Sequence, residues 1–285
     1  MRHAVLGAGG IGGLLAGALA RSGGEVVMLL RPSTLSSFEG RLRVESVVLG
    51  DFEVEVDAVS ALDRPVDALW VATKATQLKG AWSLASPEHV AKSPVIPLLN
   101  GVDHLALLRT RYAHVFAAAI RVESERVSRS LIRQSSPFLR VEVAGAEPMQ
   151  EALRAAGIEC HSNDDELSLL WDKLVFLAPL ALATTAAAAP LGAVRDDDRF
   201  IGCREEAIAV AQAEGAKVDA AAIRALQEQA SADIRSSMQK DVEAGHQPEL
   251  DAIAGPIIRA GARHGISTPN TITLASQIGA NTTLH

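Results

Sequence analysis

The stretch VLGAGGIGGLLAGALA, residues 5–20, decides how the first half of the chain is read. Gly7, Gly9 and Gly12 stand in the order G-x-G-x-x-G, directly after the apolar run HAVL and directly before a segment rich in alanine and leucine. Between a strand and a helix this pattern means a dinucleotide site; without those flanks it means only a turn. Gly7 permits the tight turn, Gly9 lets the backbone approach a pyrophosphate, and Gly12 lets helix and strand pack closely. The helix N-terminus then faces the anion. The cofactor-binding run is Gly7, Ala8, Gly9, Gly10, Ile11 and Gly12.

Outward from that turn, short β-branched runs alternate with helical patterns: EVVMLLR, DALWVATK, SPVIPLLN and HVFAAAI. Such alternation predicts βαβ units and a mainly parallel sheet. Beyond about residue 164 the apolar residues recur at three- and four-residue spacing, over 165–188, 201–214, 219–244, 249–264 and 271–283. The expected architecture is α/β. An N-terminal Rossmann-type domain with a mainly parallel sheet covers 1–164, and a C-terminal all-helical domain for substrate and catalysis covers 165–285.

Composition narrows the function. The chain of 285 residues is 48% hydrophobic and 21% charged, the profile of a globular enzyme of two compact units. A net charge of −7 with no long basic run argues against a nucleic-acid surface, which needs clustered Lys and Arg. Cys160 and Cys203 lie far apart, which suggests neither a disulfide framework nor a zinc site, and no H-E-x-x-H spacing points to a metal. The start MRHAVLGAGG has no long apolar core with a cleavage site, so a cytoplasmic protein is expected. The most apolar window, LVFLAPLALATTAAAAPLG, is interrupted by prolines and threonines and reads as a core helix rather than a membrane span.

Strand ends supply the next candidates, because open α/β sheets bind ligands at the carboxyl ends of their strands. An acidic residue about 20 positions past the glycine motif would bind the ribose hydroxyls of NAD. Arg31 stands there instead, able to pair with a 2′-phosphate in bidentate fashion, which favours NADP. Lys74 and Gln77 follow one further strand, and Asn100 with Gly101 follows the next. Each alone reads as a solvated strand end or a tight turn; their recurrence at successive strand ends favours a cofactor-lining role.

At this point the chain resembles the ketopantoate reductase (2-dehydropantoate 2-reductase) family of pantothenate biosynthesis. The resemblance rests on GAGGIG, Arg31, the K-x-x-Q of Lys74 and Gln77, and Asn100. It continues through LWDKL, LGAVRDD and the block SSMQKDVEAGHQPELDAIAGPIIRAGARHGISTPNT. It implies a Rossmann domain joined to a helical one, with NADPH and a small 2-oxo acid meeting between them. It further implies Lys173 as proton donor, Glu249 as a catalytic and cofactor-side partner in the polar network, Asn100 near the nicotinamide and Ser237 as a substrate contact. A homodimer is compatible with it.

The chemistry of Lys173 agrees with that role. Hydride delivery to a ketone leaves charge on oxygen, which a nearby ammonium stabilises and protonates. The bland alternative is a lysine whose stem lies along the core while its head reaches water. One departure from the family concerns the substrate. Members usually carry asparagines four and eight residues beyond the lysine, where this chain has Leu177 and Ala181, and a third where it has Leu191. Leu177 and Ala181 are therefore expected to line an apolar substrate wall. Two other readings stay open: a related reductase of a different, less polar carbonyl or imine, and a non-catalytic NADP(H) sensor.

Overall fold

In the computed structural model, which describes residues 1–283, the chain forms two compact units. One comprises Met1–Leu99 with His104–Leu169; the other comprises Asn100–Asp103 with the chain from Leu170 onward.

The first unit contains three sheets. β1 (Arg2–Leu6), β2 (Glu25–Leu29), β5 (Asp57–Val59), β6 (Ala68–Val71) and β7 (Val95–Pro97) form a wholly parallel sheet in the order β5-β2-β1-β6-β7. Strand order reverses at β1, whose neighbours are β2 on one side and β6 on the other. The mixed second sheet joins β3 (Arg41–Ser46), β4 (Phe52–Glu55), β9 (Ser124–Arg126) and β10 (Leu131–Gln134) in the order β4-β3-β10-β9. A third, β12-β11-β8, is built from β8 (Ala118–Arg121), β11 (Arg140–Val143) and β12 (Glu159–Ser162). The run HVFAAAI divides: Val115 bridges Val95 of β7 in parallel, with Val95 N–H donating to the His114 carbonyl and Phe116 N–H to the Val95 carbonyl, and β8 then pairs antiparallel with β11 in the third sheet. Short helices α2 (Pro32–Leu35), α3 (Leu78–Ala81), α4 (Pro87–Val90), α5 (His104–Arg109) and the longer α6 (Glu147–Ala155) complete the unit.

Helix α1 (Gly10–Arg21) explains why the first two sheets stack. One side of its start packs on the parallel sheet, where a Cβ on Gly12 would lie 2.0 Å from the Gly7 carbonyl oxygen. Another side meets the mixed sheet strand by strand. Side chains at Gly10, Gly13 and Gly17 would collide with Ser124 of β9, Ile132 of β10 and Val44 of β3. Positions 10, 13 and 17 share a helix face, so the small residues let two sheets approach one helix.

The second unit is helical: α7 (Glu166–Ala187), whose first turn belongs to the first unit, α8 (Leu191–Val194), α9 (Asp198–Ala213), α10 (Ala220–Gln229), α11 (Ser237–Glu243), α12 (Leu250–Ile253), α13 (Gly255–His264) and α14 (Pro269–Thr283). Helical pattern over 219–244 and 249–264 resolves into α10 with α11 and α12 with α13. Ser236 ends the first gap by capping α11, its side chain accepting from Gln239 N–H. Asp197 caps α9 and Asp219 caps α10 in the same way. Among the described residues α7 alone is long and apolar enough to cross a membrane, yet 67% of its apolar window is buried in the protein. It is the central core helix of this unit. Glu206 on α9 accepts from the backbone and side chains of Asn270 and Thr271, fastening the start of α14.

One buried pair in β1 and β6 makes stability depend on pH. His3 is 2% exposed, and its Nδ1 accepts from Trp70 Nε1 at 3.3 Å. Burial, helped by the N-terminal ammonium and opposed by Asp67, pushes the imidazole pKa down to about 4. The unfolded chain, with an imidazole near 6.5, binds more protons between those values, so stability falls as pH falls through that window. The expected loss between pH 7 and pH 5 is on the order of 2 kcal/mol. Urea unfolding of the protein and of His3→Gln at both values checks this, the variant losing clearly less.

Candidate active site

The glycine-rich turn joins the C-terminal end of β1 to α1. Gly7 has φ +114°, and a Cβ there would sit 2.7 Å from the Ala72 carbonyl oxygen at the end of β6. Only glycine fits both demands. Gly9 differs: a Cβ on it would meet nothing within 4 Å. No side chain caps α1 and its first turn carries no acidic residue, which leaves this helix end without a protein cap beside the open space at Gly9. A pyrophosphate fits such an end in both space and charge. Ala8 and Ile11 are half-buried between these glycines.

Because β1, β2 and β6 are parallel, the residues that follow them emerge at one edge of the sheet. Arg31 is exposed and precedes α2, just past β2. Lys74, half-buried, and Gln77, exposed, bracket a single 3₁₀ turn past β6, Gln77 N–H donating to the Lys74 carbonyl at 2.9 Å. The structure therefore brings the glycine turn, Arg31, Lys74 and Gln77 to one edge of the first unit.

Asn100 and Gly101 follow β7 but belong to the second unit. Gly101 has φ +82°, and a Cβ there would lie 2.3 Å from the Ala252 carbonyl oxygen in α12. The Asn100 amide donates to Glu249 Oε2 at 3.4 Å, and Glu249 stands at the head of α12. Arg259 completes the fastening, donating to Asp103 at 2.5 Å and to Asp251 at 2.6 Å. Sequence reading singled out Asn100 and Glu249, but Asp103, Asp251 and Arg259 were missed. Their acid–base–acid pattern is spread over 156 positions and leaves no local signature.

The remaining candidates lie on α7 and α11. Lys173 is half-buried on α7, beside the fully buried Leu174 and Val175. Leu177 is half-buried against the helical core, while Ala181 is 2% exposed and Leu191 fully sealed. Ser237 is exposed at the first position of α11. Its neighbour Ser236 is buried, with Oγ 2.9 Å from Thr184 Oγ1 on α7. Thr184 also donates to the Leu180 carbonyl, so the Ser236 hydroxyl is the donor to Thr184. The serine pair thus divides into a structural cap and an accessible hydroxyl. Neither thiol is a nucleophile: both are buried, and burial pushes Cys203 up to about 12.

The family model described as ketopantoate reductase PanE/ApbA matches residues 3–144, and its C-terminal counterpart matches 166–281. This chain belongs to the ketopantoate reductase family. A 2-dehydropantoate 2-reductase of Caulobacter vibrioides is 29% identical over 296 residues, covering 97% of this chain and 98% of that protein. The crystal structure of a PanE/ApbA family ketopantoate reductase from Ralstonia eutropha JMP134 superposes with a TM-score of 0.89 at 28% identity, covering 100% of this chain and 99% of the other. A D-mandelate dehydrogenase solved with NADH and anilino(oxo)acetate shares the fold, with a TM-score of 0.87 at 20% identity over 100% of this chain and 99% of that one. As a member of this family the protein is an oxidoreductase using a nicotinamide dinucleotide and a small-molecule substrate.

Gly9 gives a clean test of the cofactor end. Since a Cβ there meets no protein atom, Gly9→Ala should shift the thermal midpoint by no more than about 2 °C. The same methyl occupies the open space at the N-terminus of α1 and should weaken binding of the reduced cofactor at least about tenfold. Calorimetric melting with a fluorescence titration of the cofactor reads both.

Proposed function

We propose that this protein reduces a 2-oxo acid to a 2-hydroxy acid with NADPH, Lys173 donating the proton. The observation that carries the reading is the Asn100 to Glu249 hydrogen bond, which joins two residues 149 positions apart in the second unit. That unit also holds Lys173, half-buried on α7. A dinucleotide sensor has no use for an ammonium and a carboxylate kept in this way. Arg31 supports NADPH as the cofactor: it follows β2 with no acidic residue in the ribose-binding position, and a guanidinium suits a 2′-phosphate.

When bound, NADPH supplies the hydride for the carbonyl carbon. The groups of the glycine turn would hold its pyrophosphate, with Lys74 and Gln77 extending that edge. Lys173 stabilises the oxygen as negative charge collects on it, then gives up the proton. Glu249 accepts from the Asn100 amide and so fixes the side chain at the end of β7 in one orientation. Ser237, exposed at the start of α11, offers a hydroxyl to the substrate.

The substrate is less polar than ketopantoate. Leu177, half-buried, stands one turn beyond Lys173 on the same helix and can face a substrate, whereas Ala181 two turns beyond and Leu191 are sealed in the helical core and do not form the expected wall. None can bond the hydroxyl or carboxylate of a substrate. A site built to bond a hydroxyl discriminates strongly for it, whereas an apolar wall neither rewards nor strongly rejects one.

Oxidation of NADPH against a panel of 2-oxo acids with graded tails tests the reading. Turnover should occur, with kcat/KM higher for an apolar tail than for ketopantoate. Lys173→Ala should lower kcat by roughly 10² to 10⁴ with cofactor affinity nearly unchanged. Absence of turnover across the panel despite NADPH binding would favour the sensor. Turnover of imines alone would favour the imine reductase, and near-normal turnover by Lys173→Ala would remove the lysine from the chemistry.

A further inference from the structure

The first unit holds a second basic feature next to Arg31, on an element unconnected with the glycine motif. The hairpin β9–β10 lies across α1, with Ser124 Oγ donating to the Gly10 carbonyl at 3.0 Å. From that point β9 runs to Arg126, and its tip turns through Val127, Ser128 and Arg129, closed by Val127 N–H to the Leu131 carbonyl at 2.9 Å. The tip reaches α2, the helix that Arg31 precedes. Between them lies a cleft of about 350 Å³ lined by Ser33, Thr34 and Ser37 on one side and Arg126, Ser128 and Arg129 on the other. No carboxylate lines it.

The arginines of this cleft are unusual within the molecule. Among the described residues, every other arginine except Arg31 donates to, or pairs with, a protein acceptor. Arg31, Arg126 and Arg129 have no such partner, although the chain carries an excess of acidic residues and a net charge of −7. Three unpaired guanidinium groups thus stand around one short helix, next to the hydroxyls of Ser33 and Thr34, while that of Ser37 donates to the Thr34 carbonyl. Guanidinium and hydroxyl donors of this kind suit a phosphomonoester dianion, with charge-assisted hydrogen bonds roughly twice as strong as neutral ones.

We propose that Arg126 and Arg129, carried by the β9–β10 hairpin, are specificity-determining residues for the 2′-phosphate of the adenosine ribose, acting from the side opposite Arg31. This deepens the NADPH reading given above and rests on it. The hairpin suits the task because its other end is fixed to Gly10: one strand links the pyrophosphate turn to the ribose end of the cofactor site.

Calorimetric titration of the full chain with adenosine 2′,5′-bisphosphate and with adenosine 5′-diphosphate tests it, using the unmutated protein, Arg31→Ala, and Arg126→Ala combined with Arg129→Ala. The unmutated protein should bind the 2′-phosphorylated probe at least about tenfold tighter, equivalent to about 1.4 kcal/mol. The double variant should lose at least about fivefold of that preference while its affinity for the 5′-diphosphate stays within about twofold. Arg31→Ala should retain part of the preference. A double variant with the full preference would overturn the proposal and leave the NADPH reading intact on Arg31. No preference in the unmutated protein would overturn both. A double variant that loses binding of inorganic phosphate yet keeps the full 2′-phosphate preference would assign the cleft to a free phosphate and equally overturn the proposal.

Discussion

Backbone close approach around α1 is the constraint on which the first unit depends. At Gly12 the helix start touches the Gly7 carbonyl so closely that a single methyl has no room. At Gly10, Gly13 and Gly17 the same helix is approached by β9, β10 and β3. A helix of this kind has no solvent face to speak of over its first three turns, and its residues are accordingly apolar or glycine. The energetic return is burial of two sheet faces against one helix, and the functional return is position. The N-terminus of α1 is held at the carboxyl edge of the parallel sheet, and the β9–β10 hairpin is held over it. Cofactor end, strand ends and hairpin follow from one stripe of small residues.

The second unit solves a different problem, that of keeping polar groups inside an apolar bundle. Its central helix α7 is buried over most of its length, yet it carries Lys173, Thr184 and Thr185. The threonines are satisfied by the carbonyls four residues back and by the Ser236 hydroxyl, which itself caps α11. A buried hydroxyl left without a partner would cost about 1–3 kcal/mol, so this small network also fixes where α11 starts. Asn100, brought over with three residues of chain, is held by Glu249, and the Arg259 bridge between Asp103 and Asp251 keeps that tetrapeptide on α12 and α13.

Much of this was legible in the sequence because its signals are local. The glycine turn, flanked by a strand and a helix, marks its own position, and helical periodicity marks the second half. The placement of Arg31 just past β2 could be read because that strand end lies at a fixed distance from the motif. What escaped were features set by contacts between distant segments. HVFAAAI has the composition of a buried parallel strand; its start does meet β7 in parallel at Val115, and only the later pairing with β11 takes β8 into an antiparallel ladder. Gly13 and Gly17 carry no signature of their own in the sequence, because the side chains that need them, Ile132 and Val44, lie on strands outside the motif. Ser236 and Ser237 are indistinguishable in sequence, and burial alone separates the cap from the exposed hydroxyl. Arg126 and Arg129 stand in a charged hairpin like several others; they become informative only once every other arginine except Arg31 is seen, among the described residues, to have a partner.

The central claim is that the two sets of residues serve a hydride transfer from a nicotinamide to the carbonyl carbon of an oxo acid. The most direct measurement is a single-turnover reaction with NADPH deuterated at the transferable position of the nicotinamide, followed by mass spectrometry of the acid product. The account predicts a 2-hydroxy acid carrying one deuterium on the carbon that bore the oxo group. Oxidation of the cofactor with no deuterium in the organic product would contradict it.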